Sequence, residues 1–394
     1  MKDHQCAREW PAVWSALRAP PTERSVVYSC DTHARCGGLG DQLAGIVSIA
    51  AYALATNRTV RFYSSRLASM FDGLHLSAPP ESSSADFGCG FIHSCSGLER
   101  EHPQNTVIIR DTNRAWLCSW VAESASKGPA AWLQQQLTTR FQLHATSNLY
   151  AAAGCMLRAL IRPVPSVMRQ ASALLRPAPR WIGVHYRTGQ FRRRRRLAEL
   201  SQHGTAAKKE KVPPCARPGW TGAPCRIFAD AHDHKMIFEA AKCAKSAAHH
   251  DKLEPANSGI VVLSDSQQAA RAVAAKARSL ANWTLVMASP MGDACFTDTG
   301  TGNQSTLDDC SFRVAVEWTL LASVDAVVSH AGMGPRGPSY VPYLSSAFSR
   351  TAQWYGHGPK RPTAFVARSG EVDACRWPVD DVRVSHISMG NWVC

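Results

Sequence analysis

Three short stretches of this chain carry residue types that grip anions and read bases. The apolar run Trp181-Ile182-Gly183-Val184 passes into His185-Tyr186-Arg187-Thr188-Gly189, which reads as a strand ending in a cation-rich loop. His185 and Arg187 stand two residues apart, a spacing that turns both toward one side of an extended chain. A guanidinium is a planar fork matched to phosphate oxygens, so a diphosphate suits the pair; a strand-end salt bridge is the other use of the same residues. Ser264-Asp265-Ser266 follows a second apolar run, Ile260-Val261-Val262-Leu263. The Asp265 carboxylate can accept from the ring N–H and the exocyclic amine of guanine together, which adenine does not offer in that arrangement. It can equally cap the helix that starts near Gln267. The third stretch is Ser329-His330-Ala331-Gly332-Met333-Gly334. There Ser329 and the amides from Gly332 onward either form an anion-binding nest or a plain loop.

A fourth constellation lies far upstream. Gly37-Gly38-Leu39-Gly40-Asp41-Gln42 opens a helix whose buried face is marked by Leu43, Ile46, Val47, Ala50, Ala53 and Leu54. Glycines at Gly38 and Gly40 either admit a ligand to the backbone or only make a tight turn, and the first helical turn presents free N–H groups to polar or anionic partners. Gln42 stands beside them as a side-chain contact. Asp41 is either a base for a substrate hydroxyl or a helix cap, and Asp72 and Glu317 are other acids that could take the proton. The glycine spacing matches neither GxGxxG nor a P-loop, so nicotinamide, flavin and NTPase readings are weak.

The elements that must position these residues alternate. Ser25–Tyr28, the helix after Gly38 and Val60–Tyr63 make a βαβ unit, and Thr106–Ile109 is a further strand. In the second half, Trp181–Val184 is followed by helix 228–248, strand 260–263, helix 267–280, strand 283–287, helix 312–322, strand 326–329 and strand 363–366. Strands alternating with helices imply an α/β fold with parallel, doubly wound sheets, in which ligands gather outside the carboxyl ends of the strands. At 394 residues two domains are expected. The prolines at 163, 165, 177 and 179 place the boundary between 1–178 and 179–394, two Rossmann-like units facing across a cleft.

Hydrophobic residues make up 45% and charged residues 19% of the chain, which is globular composition. No run approaches the roughly 20 apolar residues that span a bilayer. Met1 to Arg24 is interrupted by Pro11, Pro20, Pro21 and charges and does not resemble a signal peptide, so secretion or membrane tethering is expected through sequence not present here. The net charge of +14 is concentrated in Arg192–Arg196 and Lys208-Lys209-Glu210-Lys211, a solvated loop rather than a face interleaved with aromatics, so nucleic acid is not an expected partner. Fourteen cysteines without a CxxC, with Cys89/Cys95 and Cys215/Cys225 bracketing closable loops, favour an oxidising lumen of the secretory pathway, Golgi or ER. The triplets at Asn57, Asn282 and Asn303 match the glycosylation pattern and point the same way. No metal site is expected: His232-Asp233-His234 and His249-His250 do not share a helix face, and Asp298-Thr299 lacks a DxD partner.

Taken in order, Gly38-Leu39-Gly40-Asp41-Gln42, Gly183-Val184-His185-Tyr186-Arg187, Leu263-Ser264-Asp265 and Trp318 through Ser329 resemble the motifs of fucosyltransferases with the two-domain GT-B fold, the group of α1,2-, α1,6- and protein O-fucosyltransferases. The resemblance spans about Asp31 to Gly356. It implies an inverting glycosyltransferase that needs no metal or other cofactor and moves fucose from GDP-fucose to a hydroxyl of a glycan or glycoprotein. On this reading Arg187 neutralises the leaving diphosphate, Asp265 reads guanine, and His185, Ser264, Ser329 and Gly332 complete the donor site. Gly38, Gly40, Asp41 and Gln42 face the acceptor, with Asp41 as the base. Thr188 stands where many relatives have a second Arg, Ala331-Gly332-Met333 where many have Ser-x-Phe, and Asp41 where many have Asn. Another nucleotide sugar, or a catalytically silent binder of sugar nucleotide or glycan, remains the alternative.

Overall fold

The computed structural model describes residues 2–30, 38–76, 85–88, 101–110, 130–143, 149–187, 231–292, 304–331, 347–357, 364–366 and 376–377. The chain begins with helices α1 (Lys2–Glu9) and α2 (Pro11–Leu17). Strand β1 (Ser25–Ser29), helix α3 (Leu39–Thr56) and strand β2 (Thr59–Tyr63) form the expected βαβ unit, with β1 and β2 parallel. α3 is apolar nearly all round, as a helix enclosed by core must be. It is the one described helix long and apolar enough to cross a membrane, with a mean hydropathy of 1.3, and 94% of it is buried inside the protein. Its end is capped in detail. Asn57 takes the left-handed conformation, φ 54°, with its N–H on the carbonyls of Ala53 and Leu54. Arg140, from helix α5 (Ala130–Phe141), donates to the carbonyls of Leu54 and Ala55.

Helix α4 (Ser65–Met70), strands β3 (Phe71–Asp72), β4 (Ala85–Gly88) and β5 (Thr106–Arg110), and helix α6 (Leu149–Leu160) complete the first half. The first sheet is parallel throughout, in the order β2-β1-β5-β4. At the expected boundary the prolines do not lie in a bare linker. Pro163 sits in strand β6 (Arg162–Pro163), which pairs antiparallel with β3, and Pro165 starts helix α7 (Pro165–Leu175). Proline is tolerated there because an edge strand and a first helical turn do not need its missing N–H.

Strand β7 (Arg180–Arg187), helix α8 (Ala231–His250), strand β8 (Ser258–Ser264), helix α9 (Gln267–Leu280), strand β9 (Leu285–Ala288), helix α10 (Gln304–Ser323), strand β10 (Ala326–Ala331), helix α11 (Ala347–His357) and strands β11 (Ala364–Val366) and β12 (Arg376–Trp377) follow. The second sheet has the order β12-β11-β10-β7-β8-β9, with only β12 antiparallel. Read from β9, this is the 3-2-1-4-5-6 order of a doubly wound sheet. The pleat separates two cores. Ile182, Val184, Ile260, Val262 and Val328 join the alanine-rich faces of α8 and α9, whereas Trp181, Val261, Leu263 and Val327 join α10 and α11.

Two sequence expectations move. β7 does not stop at Val184, because pairing with β8 and β10 carries it through Arg187, so His185 and Arg187 are strand residues rather than loop residues. Helix 312–322 starts a full two turns earlier, at Gln304. α10 and α11 also touch the first half: α10 packs on α4 and α7, α11 on α3 and α6, so one hydrophobic core runs from the first sheet into one face of the second. The Cys6–Cys155 disulfide closes a span of 149 residues and ties α1 to α6. Cys30 and Cys310 are also disulfide-bonded. Neither Cys6 nor Cys155 had a local spacing that marked it, and Cys89, Cys95, Cys215 and Cys225 lie outside the described residues.

Candidate functional site

The chain leaves β7, runs out to β8 and β9 on one side, then returns to lay β10 on the other side of β7. Between β7 and β10 the winding reverses, the position at which doubly wound sheets form a ligand crevice outside the carboxyl ends of the strands. His185 and Ser329 are register partners at that point. Because Trp181 and Val327 belong to the core under α10 and α11, the period of two puts His185 and Ser329 on that same face. Both are buried, at 9% and 1% exposure. Arg187 lies two residues further along β7, in register with Ala331.

Asp265 follows the last residue of β8. Since His185 pairs with Leu263 and Tyr186 with Ser264, the next step puts Asp265 beside position 187 at the sheet's rim. It is half-exposed there. Of its two sequence readings, the cap is taken by a neighbour: Ser266 is the N-cap of α9 and its hydroxyl accepts from the Ala269 N–H at 3.3 Å. The Ser264 hydroxyl accepts from the Ser266 N–H at 3.2 Å and donates to Asp265 Oδ1 at 3.4 Å. Ser264 also belongs to the opposite pleat from Leu263, so it shapes the Asp265 turn from behind. The structure therefore brings together the positions of His185, Arg187, Asp265 and Ser329, while Gly332 lies outside the described residues.

Gly38, Gly40, Asp41 and Gln42 lie at the entrance of α3. Gly38 is the N-cap, with φ −73° and ψ 172°, and among the described residues nothing stands within 4 Å of where its Cβ would be. Any residue adopts that backbone, so the conformation at 38 does not itself demand glycine. Asp41 is the third residue of the helix and half-buried, and Gln42 is fully buried with its N–H on the Gly38 carbonyl at 3.1 Å. α11 links this entrance to the second sheet, since it packs on both α3 and β10.

α10 lines the same face of the second sheet. A Cβ on Gly183 would stand 2.7 Å from Leu321 Cδ2, so glycine is what lets α10 approach β7 so closely. Arg313 Nη2 lies 3.1 Å from where a Cβ on Gly292 would be, just past the exit of β9. Residues 313, 317 and 321 form one stripe, and a helical turn of about 5.4 Å nearly matches two strand residues. Glu317 keeps some accessible surface as a residue, while its carboxyl is largely desolvated. Burial pushes its pKa up to about 7, against a smaller downward pull from Arg313.

Sequence reasoning missed Phe348, Ser349 and Gln353 of α11. Their helix carries apolar residues at Phe348, Ala352 and Tyr355, a spacing that signals one buried face. Among the described residues no three His, Cys, Asp or Glu side chains gather at metal-binding distances.

No protein-family model matches the chain, and no curated protein matches its sequence. Solved structures do match. A mutant of Arabidopsis thaliana FUT1 in complex with GDP is similar over 93% of this chain and 76% of its own, at 13% identity and a TM-score of 0.47. The α1,6-fucosyltransferase NodZ soaked with GDP-fucose is similar over 87% and 94%, at 14% identity and a TM-score of 0.38. NodZ from Bradyrhizobium, in another structure, is similar over 84% and 93%, at 14% identity and a TM-score of 0.39.

Proposed function

We propose that this chain is an inverting glycosyltransferase of GT-B architecture that transfers fucose from GDP-fucose to a hydroxyl of a glycan or glycoprotein, in the lumen of the secretory pathway and without a metal. The observation that carries the reading is the register pairing of His185 with Ser329 at the switch point of a 3-2-1-4-5-6 sheet, with Arg187 and Asp265 one step beyond on the same rim. That crevice is where a doubly wound sheet takes a nucleotide. Asp265 then accepts from two guanine donors, and the guanidinium of Arg187 meets the diphosphate. The acceptor enters from the α3 side, past Gly38 at its N-cap.

In the transfer, the acceptor oxygen attacks the anomeric carbon from the face opposite the diphosphate. One carbon–oxygen bond forms as the bond to the β-phosphate breaks, GDP leaves with the electron pair, and the hydroxyl proton passes to Asp41. With no metal assigned to the leaving group, an always-charged guanidinium supplies the stabilisation that the developing charge requires. The disulfides at Cys6–Cys155, Cys30 and Cys310 support an oxidising compartment.

Thermal-shift measurement against GDP, UDP, CMP and ADP tests the reading, since a ligand that binds the native state raises apparent stability. GDP is expected to raise the midpoint most, and Asp265→Asn is expected to erase the preference for GDP over ADP. A flat response to all four nucleotides, or a preference for ADP, overturns the proposal. Transfer assayed in excess chelator examines the metal-independent step separately.

A further inference from the structure

An imidazole at a strand exit turns about two side-chain bonds, and whatever restrains it decides how it meets a ligand. Among the described residues, one such restraint at the switch point comes from α11. The ring centroid of Phe348 stands 5.3 Å from that of His185, with 42° between the planes, a tilted pair within the range of favourable aromatic contacts. The next residue, Ser349, shares a 2.8 Å hydrogen bond with Ser329. Ser329 is the register partner of His185. One dipeptide of α11 thus touches both members of a single strand pair, and that pair is the one at the crevice.

The helix is held against sliding. One turn after Ser349, Gln353 Nε2 donates to the Val327 carbonyl at 3.2 Å, so α11 is pinned to β10 at two heights. The Ser329 and Ser349 hydroxyls are both buried, at 1% and 0% exposure, where an unmade hydrogen bond is costly and alternative registers are penalised. Deeper along α10, Trp318 Nε1 donates to Thr351 Oγ1 at 3.1 Å and fixes α11 from its other side. Apolar packing alone would tolerate small shifts of the helix along the sheet, whereas these three polar contacts do not. Phe348 is half-buried and packs against the edge of the core next to the His185 ring.

We propose that Phe348 is a positioning residue: it braces the His185 ring in the orientation that meets the donor's diphosphate, and the Ser329–Ser349 bond sets where Phe348 itself stands. The inference rests on the reading of His185 as a donor-binding residue. An aromatic pair of this kind corresponds to roughly 2- to 12-fold in binding.

The test uses the full chain with Phe348→Leu, which keeps apolar bulk and removes the ring, and Phe348→Tyr, which restores the ring at a half-exposed position. Thermal midpoint, the His185 ring signals in a proton–carbon correlation spectrum assigned with His185→Gln, and GDP affinity are read for each. Phe348→Leu is expected to move the His185 signals and weaken GDP roughly 2- to 12-fold with its midpoint near the parent's, and Phe348→Tyr to return both. Should Leu lower the midpoint, Phe348→Met, unbranched and adaptable, takes its place. His185 signals in the Leu or Met variant that coincide with the parent's overturn the proposal, as does an equal loss of GDP affinity in the Leu and Tyr variants. A parent that binds no GDP refutes the donor reading alone; the ring signals still decide whether Phe348 braces His185.

Discussion

Glu317→Gln is the perturbation whose size follows most directly from the structure. The parent carboxyl is buried on the stripe of α10 that faces the second sheet, and its pKa rises from 4.5 to about 7, chiefly through desolvation. In the unfolded chain the same group titrates near 4.5. Below that pH both states hold the proton and Glu317 contributes no pH dependence. Between about 4.5 and about 7 the unfolded chain releases the proton while the folded chain keeps it, so unfolding is favoured more with each step up in pH. Above about 7 the folded state carries the buried charge and the loss is complete. A shift of that size corresponds to about 3 kcal/mol, at about 1.4 kcal/mol per pH unit. Glutamine has the shape of the protonated acid and cannot ionise. Arg313 is not stranded by the change, because it also pairs with Asp309 one turn earlier, at 3.7 Å. Urea denaturation at pH 5, 6, 7 and 8 is the assay. The variant and parent are expected to agree within about 1 kcal/mol at pH 5, and the variant to be more stable by about 2 to 3 kcal/mol at pH 8. Parallel stability profiles for the two proteins across this range would refute a buried, proton-holding Glu317.

Three other perturbations separate function from framework. Asp41→Asn is expected to lower kcat by roughly 100-fold or more with GDP affinity unchanged, as loss of a general base does; since Gly38 holds the N-cap, stability changes by less than about 1 kcal/mol. A kcat within a few-fold of the parent's would dismiss Asp41 as the base. Replacing Cys6 and Cys155 together by Ser releases a 149-residue span and is expected to cost about 2 to 5 kcal/mol in urea denaturation, with matched midpoints counting against any stabilising role. Gly183→Ala drives a methyl group into Leu321 and is expected to cost about 1 to 3 kcal/mol, and a chain of undiminished stability would show that α10 sits further from β7.

The residues that repeat with a local period were legible before the structure. β-branched runs such as Val26-Val27 and Val261-Val262 specify strands, the apolar stripe after Gly38 specifies α3, and their alternation specifies a doubly wound sheet, because each depends on neighbours within one or two turns. His185, Arg187 and Asp265 could be singled out for the same reason: the end of an apolar run is a local event. What only the tertiary structure decided depends on residues far apart in the chain. Strand order made β7 and β10 neighbours and so put Ser329 beside His185, while cap geometry gave the start of α9 to Ser266 rather than Asp265. The Cys6–Cys155 link, the continuous core through α10 and α11, and the contact of Phe348 with His185 join segments up to 163 residues apart in sequence. Glu317 shows the limit most plainly, since the sequence offered it only as one of several acids able to take a proton. Only desolvation of its carboxyl, a property of the folded chain rather than of residues 313 to 321, raises its proton affinity toward neutrality.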